Sequence, residues 1–142
     1  MFRLSPSPID SKKIADTLVA DESGAIITFE GRVRNHQDGK KVLALEYEAY
    51  EDLAMEEAKK IIAEASQKFK VQNIDCVHRV GKLDIREIAL WVGVSAAHRD
   101  AAFQACRYVV DEIKARLPIW KKEYFEDGTT QWVNCQEKSR VH

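Results

Sequence analysis

The sequence has no long apolar run, so no segment reads as a membrane span. Met1 to Pro6 lacks the apolar core of a secretion signal. The three cysteines, Cys76, Cys106 and Cys135, are widely separated. They form no CxxC pair and no His/Cys cluster with metal-ligand spacing, so no metal site is expected. Cys76 and Cys106 fall in apolar patterns and read as core thiols, which fits a reducing cytoplasm. There is no GxGxxG phosphate loop, no HExxH and no GxSxG. A formal net charge of -1 removes any global electrostatic case for nucleic acid or membrane binding. Internal repeats and low-complexity linkers are absent. A length of 142 residues is that of a single domain, 1–142, with a polar tail from about Glu137.

What is present is hydrophobic periodicity. Phe2 to Leu4 reads as a short strand. Asp10 or Ser11 can cap a short helix with Ile14, Leu18 and Val19 as its apolar positions. Ala25 to Arg34 alternates as a strand, with Phe29, Gly31 and Val33 on one face and Arg32 and Arg34 on the other. Asn35 to Lys40 reads as a polar loop, and Val42 to Tyr50 as a second strand that pairs with the first in a long-looped hairpin. Ala54, Ala58, Ile61, Ile62, Ala65 and Phe69 mark a helix over 51–70. Strands follow over 74–80 and 87–96. The second is apolar on both faces, which predicts a central strand covered on two sides. A helix then carries Ala102, Cys106, Val109, Val110, Ile113 and Leu117. Pro118 lacks an N–H and disfavours helix at Leu117, so the helix ends there. Strands over 119–125 and 131–133 flank an Asp127-Gly128 turn. The order βαββαββαββ predicts an α+β fold, with helices packed on a mostly antiparallel sheet.

Charge is unevenly placed. Arg32, Arg34, His36, Lys40 and Lys41 form one basic group, and Lys114 to Lys122 another. The Pro118 corner puts Lys114 on a last helical turn and Lys121 on an extended segment just beyond it. Such a corner can aim two ammonium groups at one point. The helix dipole alone also favours cations at Lys114 and Arg116. His98-Arg99 stands at a strand-to-helix junction, where free N–H groups welcome an anion and a second positive charge is unfavourable. Neighbouring cations favour the neutral, nucleophilic form of a lysine, and Arg116, Lys121 and Lys122 are such neighbours of Lys114; Glu123 opposes them. Trp120 and Trp132 can wall a site or belong to the core. The residues by themselves fit a lysine-based catalyst or a module that binds an anion without chemistry.

Four segments in order carry a family resemblance: Phe29 to His36, His78-Arg79-Val80-Gly81, Val92 to Arg99, and Pro118 to Glu123. Together they resemble the large, catalytic subunit of molybdopterin synthase, over about Gly24 to Val133. The resemblance implies an α/β-hammerhead-type fold and a homodimer. It implies a small ubiquitin-like sulfur-carrier subunit on each protomer, giving a heterotetramer. The carrier's Gly-Gly tail, as a thiocarboxylate, would supply two sulfurs to cyclic pyranopterin monophosphate. That forms the dithiolene of molybdopterin in molybdenum cofactor biosynthesis, a sulfurtransferase reaction needing no further cofactor.

Residue by residue, the resemblance makes Lys114 and Lys121 the catalytic lysines. It assigns substrate binding to Arg32, Val33, Arg34, His98, Arg99, Lys122 and Glu123 as well, with Phe29 and His36 beside the pocket. Some members of the family carry an arginine shortly after the Trp132-Val133 position. Here that stretch reads Asn134-Cys135-Gln136, so no residue acting across the dimer is carried over.

Overall fold

The structure is a computed structural model that describes residues 1–136; the polar tail expected from Glu137 lies outside the described residues. Twelve elements run β1 (Phe2–Ser5), α1 (Ser11–Asp16), β2 (Ala25–Arg32), β3 (His36–Gln37), β4 (Lys40–Ala49), α2 (Glu51–Lys68), β5 (Asn73–Arg79), β6 (Gly81–Asp84), β7 (Ile88–Ala96), α3 (Arg99–Arg116), β8 (Ile119–Phe125) and β9 (Thr130–Asn134). The α+β expectation holds. The single sheet resolves into two, and the short strands β3 and β6 are additional to the predicted order.

Helix α2 buries Ala54, Ala58, Ile61 and Ala65, one stripe at helical spacing. Glu51 and Asp52 occupy its first turn, where the dipole favours acids. Helix α3 buries Ala102, Ala105, Cys106, Val109, Val110 and Ile113. It stops as Pro118 requires: Leu117 is extended at φ -74 and ψ 135. Arg116 fastens the two long helices together. Its guanidinium donates to Glu57 at 2.9 Å, Glu64 at 2.7 Å and Glu112 at 3.2 Å. Helix α1 is capped by Asp10, whose carboxylate accepts from the Lys13 amide at 3.1 Å. It ends at Asp16, earlier than expected, so Val19 is exposed while Leu18 is fully buried. Among the described residues, no helix is long and apolar enough to cross a membrane.

The first sheet has the order β1-β5-β7-β2, antiparallel except for the β1–β5 pair. All nine residues of β7 are buried, as its two apolar faces predict. One face packs with Ile61, Val109 and Ile113 from α2 and α3. On the other, Trp91 and Ile88 meet Leu18 and the α1 segment. The second sheet runs β3-β4-β8-β9, with β6 also on β4. Val33, Val42, Leu45, Leu83, Ala89 and Phe125 form a smaller cluster between the sheets.

Two expectations are corrected. The predicted hairpin between 25–34 and 42–50 does not form: β2 pairs with β7, and β4 pairs with β8 and β6. The stretch expected as an open loop is a tight hairpin, β3–β4, turned by Asp38 (φ 51) and Gly39 (φ 79). Both central residues at positive φ make the turn that matches strand twist. The chain crosses from one sheet to the other through Gly81, at φ 90.

Gly93 sits where the Trp91 ring folds back over β7. A Cβ there would lie 2.4 Å from the Trp91 ring and 2.6 Å from Leu18 Cδ1. Gly93→Ala is therefore expected to destabilise the protein by about 1–3 kcal/mol, the usual cost of overpacking. Urea unfolding should show a lower midpoint with an unchanged slope, and an unchanged midpoint would refute the packing described.

Candidate functional site

A cleft of about 880 Å³ opens where the end of α3, the end of β2 and the second sheet meet. That volume suits a small-molecule site. Lys114 enters from the last turn of α3. After the Leu117–Pro118 corner the chain is a strand, and its alternation sends Lys121 and Glu123 into the cleft. Arg32, Arg34 and His36 come from the other side, at the β2–β3 junction. Two lysines from two different elements thus face one space, as the sequence predicts.

The cations differ in how far they are committed. The Lys114 ammonium lies over the Phe29 ring, 5.7 Å from its centroid, and forms no ion pair among the described residues. Arg34 donates to the Gln37 side chain at 3.0 Å. Arg32 is already engaged, with Glu30 at 2.8 Å and the Arg86 carbonyl at 2.8 Å. Arg116 is turned away onto its three carboxylates, so it is not the charge neighbour of Lys114 that the sequence suggests. Glu64 lowers its own pKa to about 2 through the Arg116 bond, and Arg116 is held further above its usual range.

The floor is buried and polar in a different way. Tyr47 and His78 meet edge to face, their ring centroids 5.0 Å apart. Burial raises the Tyr47 hydroxyl well above its ordinary range, and Cys135 and Glu123 add to the effect. Burial likewise pushes His78 down to about 4; a bond to the Arg79 carbonyl opposes this, and the Lys114 charge adds to it. Both are thus neutral at pH 7. Glu123 is only 2% exposed. The cleft combines a cationic entrance with a buried polar floor of Tyr47, His78 and Glu123.

His98 and Arg99 lie elsewhere. They line a second cleft of about 560 Å³ with Gly24, Ala97, Asp100 and Phe103, at the N-terminal end of α3. Sixteen residues of helix separate His98 from Lys114, about 24 Å at 1.5 Å per residue. The expectation of one pocket holding all the basic residues is therefore corrected for a single protomer: a straight helix keeps its two ends apart. Val33 is also displaced from the expected site, being 3% exposed within the small cluster between the sheets. Lys122 faces the opposite side of β8 from the cleft, over Tyr124 at 5.1 Å and Trp132 at 5.8 Å. Phe29 stands beside the cleft under Lys114, and His36 lines it. The sequence reading did not single out Tyr47, His78 or Cys135 as cleft residues. His78 carried a signal: an imidazole that directly follows the apolar pair Cys76-Val77 in a strand.

The chain matches the family model described as MoaE protein over residues 4–116. It is 42% identical to the molybdopterin synthase catalytic subunit of Bacillus subtilis over 141 residues, covering 99% of this chain and 89% of that one. Its fold superposes on molybdopterin synthase from Staphylococcus aureus with a TM-score of 0.86 at 35% identity, covering 92% of this chain and 95% of that one. That likeness agrees with the hammerhead-type expectation. A protein–protein complex of subunits 1 and 2 of molybdopterin-converting factor from Helicobacter pylori shares the fold at a TM-score of 0.77 and 19% identity, over 96% of this chain and 91% of that one.

The buried imidazole has a consequence for acid stability. An unfolded His78 takes up its proton near pH 6.5, the folded one only near pH 4. The unfolded state binds more protons between these values, so stability falls as pH drops from about 6.5 to 4. A depression of this size is worth about 3 kcal/mol. Denaturant titrations at pH 7, 5.5 and 4.5 should show that slope in the parent protein and a shallower one in His78→Gln. Equal slopes would show that His78 is not buried as a neutral ring.

Proposed function

The chain belongs to the MoaE protein family, and from that premise we propose that it works as the catalytic subunit of molybdopterin synthase in molybdenum cofactor biosynthesis. It transfers two sulfurs from the thiocarboxylated C-terminus of a small sulfur-carrier subunit to cyclic pyranopterin monophosphate. For each transfer, the C–S bond to the carrier breaks and a C–S bond to the pterin side chain forms, while a C–O bond at that side-chain carbon breaks and its oxygen leaves as water or stays on the opened phosphate. Water supplies the oxygen that returns the carrier tail as a carboxylate.

The convergence of Lys114 and Lys121 on one cleft, beside Arg34, carries this reading. Both substrates bring negative charge, one as a phosphate and the other as a thiocarboxylate. An entrance built of lysine and arginine suits both. Lys114 contacts the thiocarboxylate carbon end, polarising it or attacking it. Lys121 acts as acid and base or holds the pterin. Arg34, His98 and Arg99 bind phosphate. Because His98 and Arg99 sit at the far end of α3, they serve the Lys114 cleft only if a homodimer brings one protomer's second cleft against the other protomer's first. The carrier's extended Gly-Gly tail would enter that shared space. A fold shared with a two-subunit complex supports such a partner.

The test is reconstitution with thiocarboxylated carrier and cyclic pyranopterin monophosphate, followed by fluorescence of the oxidised product. Lys114→Ala and Lys121→Ala should each reduce the rate by roughly 10²–10⁴, the range for loss of an acid–base group. Binding of the carrier should persist in both. Carrier binding without any product from the parent protein would leave a scaffold and sink the synthase reading.

A further inference from the structure

His78 is 7% exposed, and it lines the lysine cleft. Its Nδ1 lies 2.7 Å from the Arg79 carbonyl oxygen. A carbonyl only accepts, so Nδ1 carries the proton and Nε2 keeps its lone pair. The Tyr47 ring, edge-on at 81°, holds the imidazole plane. Among the described residues, the sealed polar side-chain atoms without a partner are Arg79 Nε and Ser95 Oγ. Nε2 is thus not sealed. The ring is among the groups that line the cleft.

The cleft's own acceptors are already engaged: Glu123, 2% exposed, is not free, and the Gln37 oxygen accepts from Arg34 at 3.0 Å. Lys114, Lys121 and Arg34 can only donate. Asp111 at the rim is paired with Arg107 at 3.7 Å, and Glu112 with Arg116 at 3.2 Å. A phosphate satisfies the donors. A pterin ring, however, also presents amino and ring N–H groups, and these need acceptors once water is excluded. Building on the synthase reading above, we infer that His78 is a substrate-positioning residue whose Nε2 accepts a hydrogen bond from an N–H of the pterin heterocycle. Burial keeps the imidazole neutral at physiological pH, so the lone pair is available in spite of the cations around it.

The reconstituted synthase provides the test. His78→Phe keeps a flat ring against Tyr47 and removes the acceptor. It should raise KM for cyclic pyranopterin monophosphate about tenfold, the effect of losing one good hydrogen bond. Affinity for the thiocarboxylated carrier should stay unchanged. His78→Gln, which restores an acceptor oxygen, should recover most of the loss. If His78→Phe melts far below the parent, His78→Gln and His78→Met, similar in length, make the same comparison. Parental KM in a folded His78→Phe, or equal KM values for the Gln and Met variants, would overturn the inference while leaving the synthase reading intact. Failure of the parent protein to make product would overturn both.

Discussion

Everything about the lysine cleft depends on one missing N–H. Pro118 cannot continue α3, and it forces Leu117 out of helical geometry. The chain therefore leaves the helix at a fixed place and enters β8 at Ile119. Lys114 is consequently the last cleft-facing cation on a rigid helix, and Lys121 the first on a rigid strand. Neither is on a loop. The backbone hydrogen bonds of α3 and the β4–β8 ladder hold their relative position. Sites on such elements keep their geometry better than sites on loops.

The protein sorts its many cations by what answers their charge. Arg116 and Arg79 are spent on structure: the first is bound by three carboxylates between α2 and α3, and the second is 4% exposed and paired with Glu87 at 2.7 Å. Lys122 rests on aromatic faces. Arg32 is neutralised by Glu30. Lys114 and Arg34 remain with neutral neighbours, an aromatic ring and an amide. A net charge near zero thus coexists with a locally cationic cleft entrance.

The long elements and the Pro118 corner were legible in the sequence because each rests on local chemistry: helical stripes, a doubly apolar strand, a residue that cannot donate. Pairing was not legible, because it is decided far along the chain. Consecutive strands usually pair, yet β2 lies beside β7. The doubly apolar β7 needs a neighbour on each side, and β2 supplies one of them. β3 and β6 are too short for periodicity, although Asp38-Gly39 was a hairpin signal in plain view. That Lys114, Lys121, Arg34 and Glu123 share one cleft was legible from the corner and the resemblance. Strict alternation from Lys121 would have placed Lys122 on the other face. Val33, just past the end of β2, packs into the small cluster between the sheets instead of lining the cleft. His98-Arg99 and Lys114 were legible as opposite ends of one helix, and it was the resemblance that grouped them in one pocket.

The pairing of β2 with β7 also sets when the chain can fold. Ala25 lies opposite Ala96, with β3, β4, α2, β5 and β6 threaded between them. During synthesis, β2 emerges long before its partner does. Until Ala96 has left the ribosome, β2 has exposed pairing edges and no sheet to join. Closing so long a loop is costly in entropy and slow compared with making a local hairpin. The first sheet, and with it the core under α2 and α3, is thus completed only after most of the polypeptide exists. Until then the apolar alternation of β2 stands open to other nascent chains, a hazard that falls on a cell's chaperones rather than on the finished protein.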